Sequence, residues 1–450
     1  MSRVLLPTQT MIPISVFITR RRNTENALGL IKFWVARQII NSLKQVLVGH
    51  NEKACDNNFS PYFIVICSKR VTIMKSIPFW IWSLILGAIV LVVTLLIPSH
   101  ITQANPWSFG LLSLIGGIAW INAASESLIH GSEILSSKKN WNHFVGGTIG
   151  EIISTLPEFV VIAFIVSVDP IAALLIAIVT IYNNAVIFSI YSFFLPKTTN
   201  EGEYALPAPI YKIGREILIV GSTVSLIIGL VFITDRLATP PKEVLTSTES
   251  AIIGLVMLFI FTHYLGSLIS HYSENEVPET HRPEERFNEP SGRMTLLFAT
   301  GTLAAFVGGH MVSTFAEIML HKVHLSPVRA SLVLAFFAGI AEIFIIIESH
   351  HKKEYEIALS NAFGGITQVN FLVFPFTLLL ISVVQIFGLA PAGFIGIPID
   401  STLIFLMVQL FPVFFVLFEL MQDGHTLSNF DGAAMLGLFL LILYFLVTNG

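Results

Sequence analysis

The chain of 450 residues is 54% hydrophobic and 12% charged, with a mean hydropathy of +0.77, whereas soluble domains carry about 25% charged residues; an ordinary soluble globular protein is excluded. Two cysteines, Cys55 and Cys67, cannot supply a disulfide framework or a four-thiolate metal site. The net charge of −4 hides an asymmetry, because residues 1–75 hold 11 Lys and Arg against three acids while the remainder holds 14 against 26.

Residues 1–75 contain Arg20-Arg21-Arg22 but no apolar stretch followed by a small-residue cleavage pattern, so they do not read as a secretory signal. They are expected to be a basic cytoplasmic extension or, since Met74-Lys75 stands directly before the first long apolar run, an overlong start. About 20 apolar residues cross a bilayer core. By that measure the spans are Ile77–Ile97, Trp107–Leu135, Phe144–Val166, Pro170–Leu195, Ile217–Thr234 and Ala251–Ser270. After a polar stretch the series resumes with Thr295–Leu320, Val328–Glu348, Glu356–Phe387, Ser401–Met421 and Ala433–Asn449. The expected fold is therefore an all-α polytopic membrane protein of about 11 helices: one span plus a five-helix repeat over 77–270, an acidic linker over 271–294, and a second five-helix repeat over 295–450.

With the basic segment placed inside, the inside loops carry Lys138, Lys139, Lys197, Lys212, Arg215, Arg282, Arg286, Arg293, Lys352 and Lys353, and the outside loops only Arg236, Lys242, Lys322 and Arg329. This bias predicts a cytoplasmic N-terminus, and two five-span halves joined by an inside loop then run in opposite orientations, as inverted-repeat transporters do. The linker, with Glu274, Glu276, Glu279, Glu284, Glu285 and Glu289, reads as solvated chain that could also attract divalent cations. The expected location is the plasma (inner) membrane rather than an organelle membrane, with lipid as the surroundings and no nucleic-acid partner.

Polar residues inside spans are costly and so are functional candidates. Here they recur in register. Glu133 precedes Glu158 by 25 residues and Glu317 precedes Glu342 by 25; Asn184 follows Glu158 by 26 and Gln368 follows Glu342 by 26. This spacing predicts an internal repeat. Hard divalent cations take oxygen ligands from carboxylates, amides, hydroxyls and backbone. Glu158 and Glu342 are the expected metal-binding pair, brought together by inversion near the midplane, where two carboxylates balance one divalent cation. Ser154 and Thr155 add hydroxyls beside Glu158, and Pro157, lacking an N–H, frees a carbonyl on the preceding turn. Asn183, Asn184, Thr367 and Gln368 supply neutral donors on the next helix of each repeat. The same pair without its cation would repel and take up protons, which suggests proton-for-cation exchange.

At these residues the sequence resembles the Ca²⁺:cation antiporter superfamily, and within it the H⁺/Ca²⁺ exchanger branch. Ile152–Phe159, IISTLPEF, is similar to the first-repeat Gly-Thr-Ser-Ala-Pro-Glu pattern, and Gly364–Pro375, GGITQVNFLVFP, to the second-repeat Gly-Ser-Ala-Thr-Gln pattern followed by an apolar run and Pro. The resemblance covers roughly Ile77–Asn449. Ile153 and Ile340 depart from it, replacing an expected Gly and Asn.

Glu126, Glu133, Glu151, His310 and Glu317 are weaker candidates, for a proton path or gate; Glu151 lies seven residues before Glu158 on the same helix face. His130, like His310, is a lone histidine in a span and is most simply a packing residue. His-Glu-x-x-His and Gly-x-x-x-x-Gly-Lys are absent, which argues against a zinc protease or an ATP-driven pump, and neither enzymatic activity nor a cofactor is expected. The leading function is exchange of Ca²⁺ or a similar divalent cation for H⁺. The alternatives are Na⁺-coupled exchange, a cation channel, or a transport-inactive membrane scaffold.

Overall fold

Local chemistry fixes where the membrane helices begin. Helix α2 (Pro106–Lys138) opens with Pro after Asn105, whose side chain accepts from the Ser108 N–H at 3.3 Å. Helix α4 (Pro170–Ser192) does the same behind Asp169, which accepts from the Ile171 and Ala172 N–H groups at 2.9 and 3.0 Å. A polar cap satisfies N–H groups that have no partner within the helix, and Pro loses nothing at the first position. The structure, a computed structural model, describes residues 78–97, 105–139, 149–150, 152–199, 202–208, 210–274, 291–351, 353–422 and 424–449. The basic extension 1–75, Glu151 and linker residues 275–290 lie outside the described residues.

Among the described residues ten helices are long and apolar enough to cross a membrane, and the shorter apolar stretch Ile152–Val168 makes an eleventh segment. Besides α2 and α4, the first half comprises α1 (Phe79–Leu96), α3 (Leu156–Val168), α5 (Arg215–Leu237) and α6 (Ser247–Glu274). The second half comprises α7 (Ser291–Glu317), α8 (Pro327–Ala338), α9 (Ile340–His351), α10 (Tyr355–Gln368), α11 (Phe374–Ile386), α12 (Ser401–Gln422) and α13 (Asn429–Asn449). The span expected at Val328–Glu348 is two helices, α8 and α9, because the chain turns at Gly339. The span expected at Glu356–Phe387 is α10 and α11 joined by a π-helical turn, Val369–Val373. Helical structure also reaches into the expected linker at both ends, to Glu274 and from Ser291. The protein is an integral, multi-pass membrane protein.

Burial separates the centre from the rim. In the apolar window of α4, 78% of residues are buried, against 17% in α1, whose Trp82, Leu86, Ile89 and Leu95 are exposed toward the lipid. Around α4 pack α3, α8, α10 and α13, drawn from both halves.

The two halves meet most closely where α2 crosses α7. A Cβ placed on Gly117 would stand 3.1 Å from the Val312 nitrogen and 3.2 Å from the Gly308 carbonyl oxygen; one on Gly308 would stand 3.0 Å from the Gly117 carbonyl oxygen. Backbone therefore meets backbone, a contact that only small residues permit. The Ser127 hydroxyl donates to the Leu297 carbonyl at 2.9 Å farther along the same crossing.

Two short ladders tie loops of the halves together. Strand β1 (Tyr204–Ala205), after α4, pairs antiparallel with β4 (Thr426–Leu427), after α12; β2 (Val244–Leu245), after α5, pairs with β3 (Ile397–Pro398), before α12. In each pair an even number of membrane crossings separates the strands, so each ladder lies on one face, and the single crossing α5 puts the ladders on opposite faces. Beside β2, Lys242 bonds Asp235 at 3.1 Å and also Glu249; the Glu249 hydrogen bond is the largest influence holding the Lys242 ammonium above its usual range.

Substituting Leu for Gly117 or Gly308 forces the α2–α7 crossing apart and should destabilise the protein by about 1–3 kcal/mol or more. Gly266→Leu, with nothing within 4 Å of the added Cβ, should be tolerated. Thermal unfolding in detergent checks both.

Candidate functional site

Both candidate carboxylates sit directly after a break in a helix. Thr155 interrupts the segment Ile152–Val168, and Glu158 is the third residue of α3. Gly339 interrupts the other segment, and Glu342 is the third residue of α9. The same step of 184 residues relates Thr155 to Gly339, Glu158 to Glu342 and Asn184 to Gln368. A carboxylate in the first turn of a helix is favoured by the unpaired N–H groups and the dipole there. Within the first break Pro157 also leaves the Ile153 carbonyl without its donor four residues on.

Each break faces the amide of the opposite half. The Thr155 hydroxyl donates to the Gln368 Oε1 at 2.9 Å, buried between α3 and α10. The related contact has glycine in place of the hydroxyl: a Cβ on Gly339 would stand 2.6 Å from the Asn183 Nδ2 and 3.4 Å from the Asn184 Oδ1. Asn183 also donates to the Ala335 carbonyl at 3.4 Å, tying α4 to α8. A Cβ on Gly365 would meet the Asn184 Nδ2 at 2.7 Å and both oxygens of Glu342 at 2.8 and 3.0 Å. Only glycine leaves room there for an amide and a carboxylate together.

Glu158 borders α4 beside Ala177 and Thr180. It lines a cavity of about 30 Å³ with Val161, Ala177, Thr180, Phe337 and Ala338, room for roughly one or two water molecules. Thr180 lies one helical turn before Asn184 on the same face of α4, so the two carboxylates reach adjacent turns of one central helix. Asn184 is 1% exposed, and neither of its amide atoms has a hydrogen-bond partner. A buried amide left unpaired is costly, and its oxygen is a ready ligand for a hard cation. Thr367 is buried too, its hydroxyl donating to the Gly364 carbonyl at 3.1 Å, while Ser154 is half-buried in the turn before Thr155.

Beyond Asn184 the same helices end in a ring cluster. Tyr191 on α4 meets His350 on α9, phenol oxygen to Nδ1 at 3.5 Å, and the His350 ring lies 5.2 Å from that of Tyr355 on α10. Tyr204 is buried against this end; its burial, with Glu356 and Tyr355 nearby, pushes the phenol up to about 12, so it stays neutral through the physiological range. The cavity is thus on one side of Asn184 and aromatic packing on the other.

Of the weaker candidates, the four among the described residues, Glu126, Glu133, His310 and Glu317, do not line the cavity. Glu126 accepts from Asn122 at 3.4 Å, and Asn122 donates to Ser83 at 3.0 Å, a link between α1 and α2. Glu133 pairs with His130 at 3.1 Å, about two-fifths exposed. His310 is exposed with its ring 5.7 Å from that of Phe164, and Glu317 is exposed at the end of α7. Among the described residues no group of three or more His, Cys, Asp and Glu is placed to hold a metal ion. Gly339, Gly365 and Thr180 escape a search for charged residues, although the 184-residue step from Thr155 points to Gly339.

Residues 293–448 match the sodium/calcium exchanger protein family. Among solved structures, the chain is similar to the H⁺/Ca²⁺ exchanger CAX at 12% identity and a TM-score of 0.58, covering 81% of this chain and 89% of that one. The fold is that of the Ca²⁺:cation antiporters. Native YfkE is similar too, at 15% identity and a TM-score of 0.54, over 81% of this chain and 99% of that one. No protein of curated function matches the sequence.

Replacing Thr155 by Val removes the hydroxyl and leaves the Gln368 oxygen buried without that donor, which should cost about 1–3 kcal/mol. Thr155→Ser keeps the donor and should restore most of the loss, as read from thermal unfolding of the two variants.

Proposed function

We propose that the protein is a secondary antiporter that exchanges Ca²⁺, or a similar divalent cation, for H⁺ by alternating access between two inverted five-helix repeats. The observation that carries the reading is the pair of matched helix breaks that bring Glu158 and Glu342 to adjacent turns of α4. Two carboxylates neutralise one divalent cation, and Asn184, Gln368, Thr155 and freed backbone carbonyls complete an oxygen shell. Asn183, Ser154 and Thr367 stand beside that shell and tune its shape.

Inversion is supported by the exchange of contacts. Thr155 with Gln368 and Gly339 with Asn184 are the same contact with the halves swapped, and the two loop ladders swap in the same way while lying on opposite faces. A transporter of this kind exposes one central site alternately by moving one bundle against the other. A cation channel would want a continuous polar pore, whereas the cavity here is apolar but for Glu158 and Thr180. The cytoplasmic assignment of the N-terminal side is supported by the excess of basic residues in the loops on that face.

In this reading protons replace the cation on the carboxylate pair, so no separate coupling site is needed. Na⁺-coupled exchange is the second reading, favoured by the sodium/calcium exchanger match over residues 293–448.

Sealed vesicles loaded with Ca²⁺ test both. Efflux should follow an imposed pH gradient at clamped voltage and ignore Na⁺ at constant pH; dependence on Na⁺ alone would replace the first reading by the second. Glu158→Gln and Glu342→Gln should each reduce flux to background, and wild-type flux in either variant would sink the paired site. Asn184→Ala and Gln368→Ala should weaken apparent affinity and leave residual transport.

A further inference from the structure

Among the described residues, two fully buried serines differ from several other buried hydroxyls in having no hydrogen-bond partner. Thr180, Ser189, Thr377 and Ser382 each donate to the carbonyl four residues earlier, at 2.8, 2.7, 2.8 and 2.7 Å. This back-bond is the ordinary solution for Ser and Thr inside a membrane helix. Ser222 and Ser225 on α5 are both 0% exposed, yet neither hydroxyl has a partner. They lie three residues apart and so share a face of α5.

Gly221, on the same side of that helix, faces the π-helical turn after Gln368. A Cβ there would stand 3.2 Å from the Asn370 Nδ2 and 3.1 Å from the Phe371 ring, so the Asn370 amide lies directly against the α5 backbone. Asn370 is itself 0% exposed, with both amide atoms unpartnered. The one other asparagine with both amide atoms buried and unpartnered among the described residues is Asn184, which belongs to the candidate cation site.

We propose that Asn370, Ser222 and Ser225 enclose a second, buried polar site between α5 and the π-helical turn, and that its ligand is water. The chemistry of the unpartnered atoms selects the ligand. A cation could satisfy the Asn370 Oδ1 and the two hydroxyl oxygens but would leave the Nδ2 donor unmet, and no carboxylate is present in the group to balance its charge. Water both donates and accepts, and buried waters typically make two to four such bonds to groups that lack protein partners. Asn370 is the second residue of the π-helical turn, a form that is frequent at functional sites. The site is independent of the transport reading, because none of its residues is assigned to the cation.

Stability of single variants of the full chain in detergent gives the test through its sign. Removing a hydroxyl that binds an ordered water loses bonds, whereas removing one that is unpaired in a dry pocket relieves a penalty. Ser222→Ala and Ser225→Ala should therefore each lower the unfolding temperature, and by equal amounts in Na⁺ and in choline at matched ionic strength. A rise or no change in both variants would overturn the proposal. A loss seen only in Na⁺ would also overturn it, by making the occupant a cation. A high-resolution structure should show density within hydrogen-bond distance of the Asn370 amide and of a serine hydroxyl; back-bonding of both serines to Leu218 and Gly221 with no density would refute it.

Discussion

A carboxylate held at mid-membrane depth is penalised by about 2.5–3.5 kcal/mol on insertion scales, and the architecture around Glu158 and Glu342 follows from meeting that cost. Each is the third residue after a helix break, where N–H groups and the helix dipole favour negative charge. A break exposes backbone groups that lipid cannot satisfy, so it must be enclosed by protein. Helix α4, the most buried of the spans, supplies the enclosure on one side and the opposite half supplies it on the other. The Thr155–Gln368 hydrogen bond is where that enclosure is most direct.

The same requirement explains the glycines. Gly339 and Gly365 stand where a Cβ would displace Asn183, Asn184 or the Glu342 carboxylate, and Gly117 and Gly308 let α2 and α7 meet backbone to backbone. The first pair lets polar side chains converge; the second brings the halves close enough for them to do so. Small residues at a crossing also leave few interlocking side chains between the two bundles.

Much of this was legible along the chain. The eleven apolar segments, the polar linker and the register of Glu158 with Glu342 and Asn184 with Gln368 could be read directly, because span length and side-chain cost are local properties. Thr155 was legible as a hydroxyl near the site, but not as the donor to a side chain more than 200 residues away. Glu126, Glu133, His310 and Glu317 looked equivalent to one another as polar residues in spans. The structure separates them, since two are exposed and the others are paired at the rim.

Hydropathy and spacing by themselves determined that this is a multi-pass helical membrane protein with two acids at matched spacing in its spans. Those features follow from the thickness of the bilayer and from residue spacing along the chain, and neither depends on how helices pack. The break at Gly339, the meeting of Gly365 with Glu342 and Asn184, and the Asn370 amide against Gly221 were decided only in three dimensions. A glycine in sequence records permission for close approach; what approaches it is chosen by the packing of helices that lie far apart in the chain.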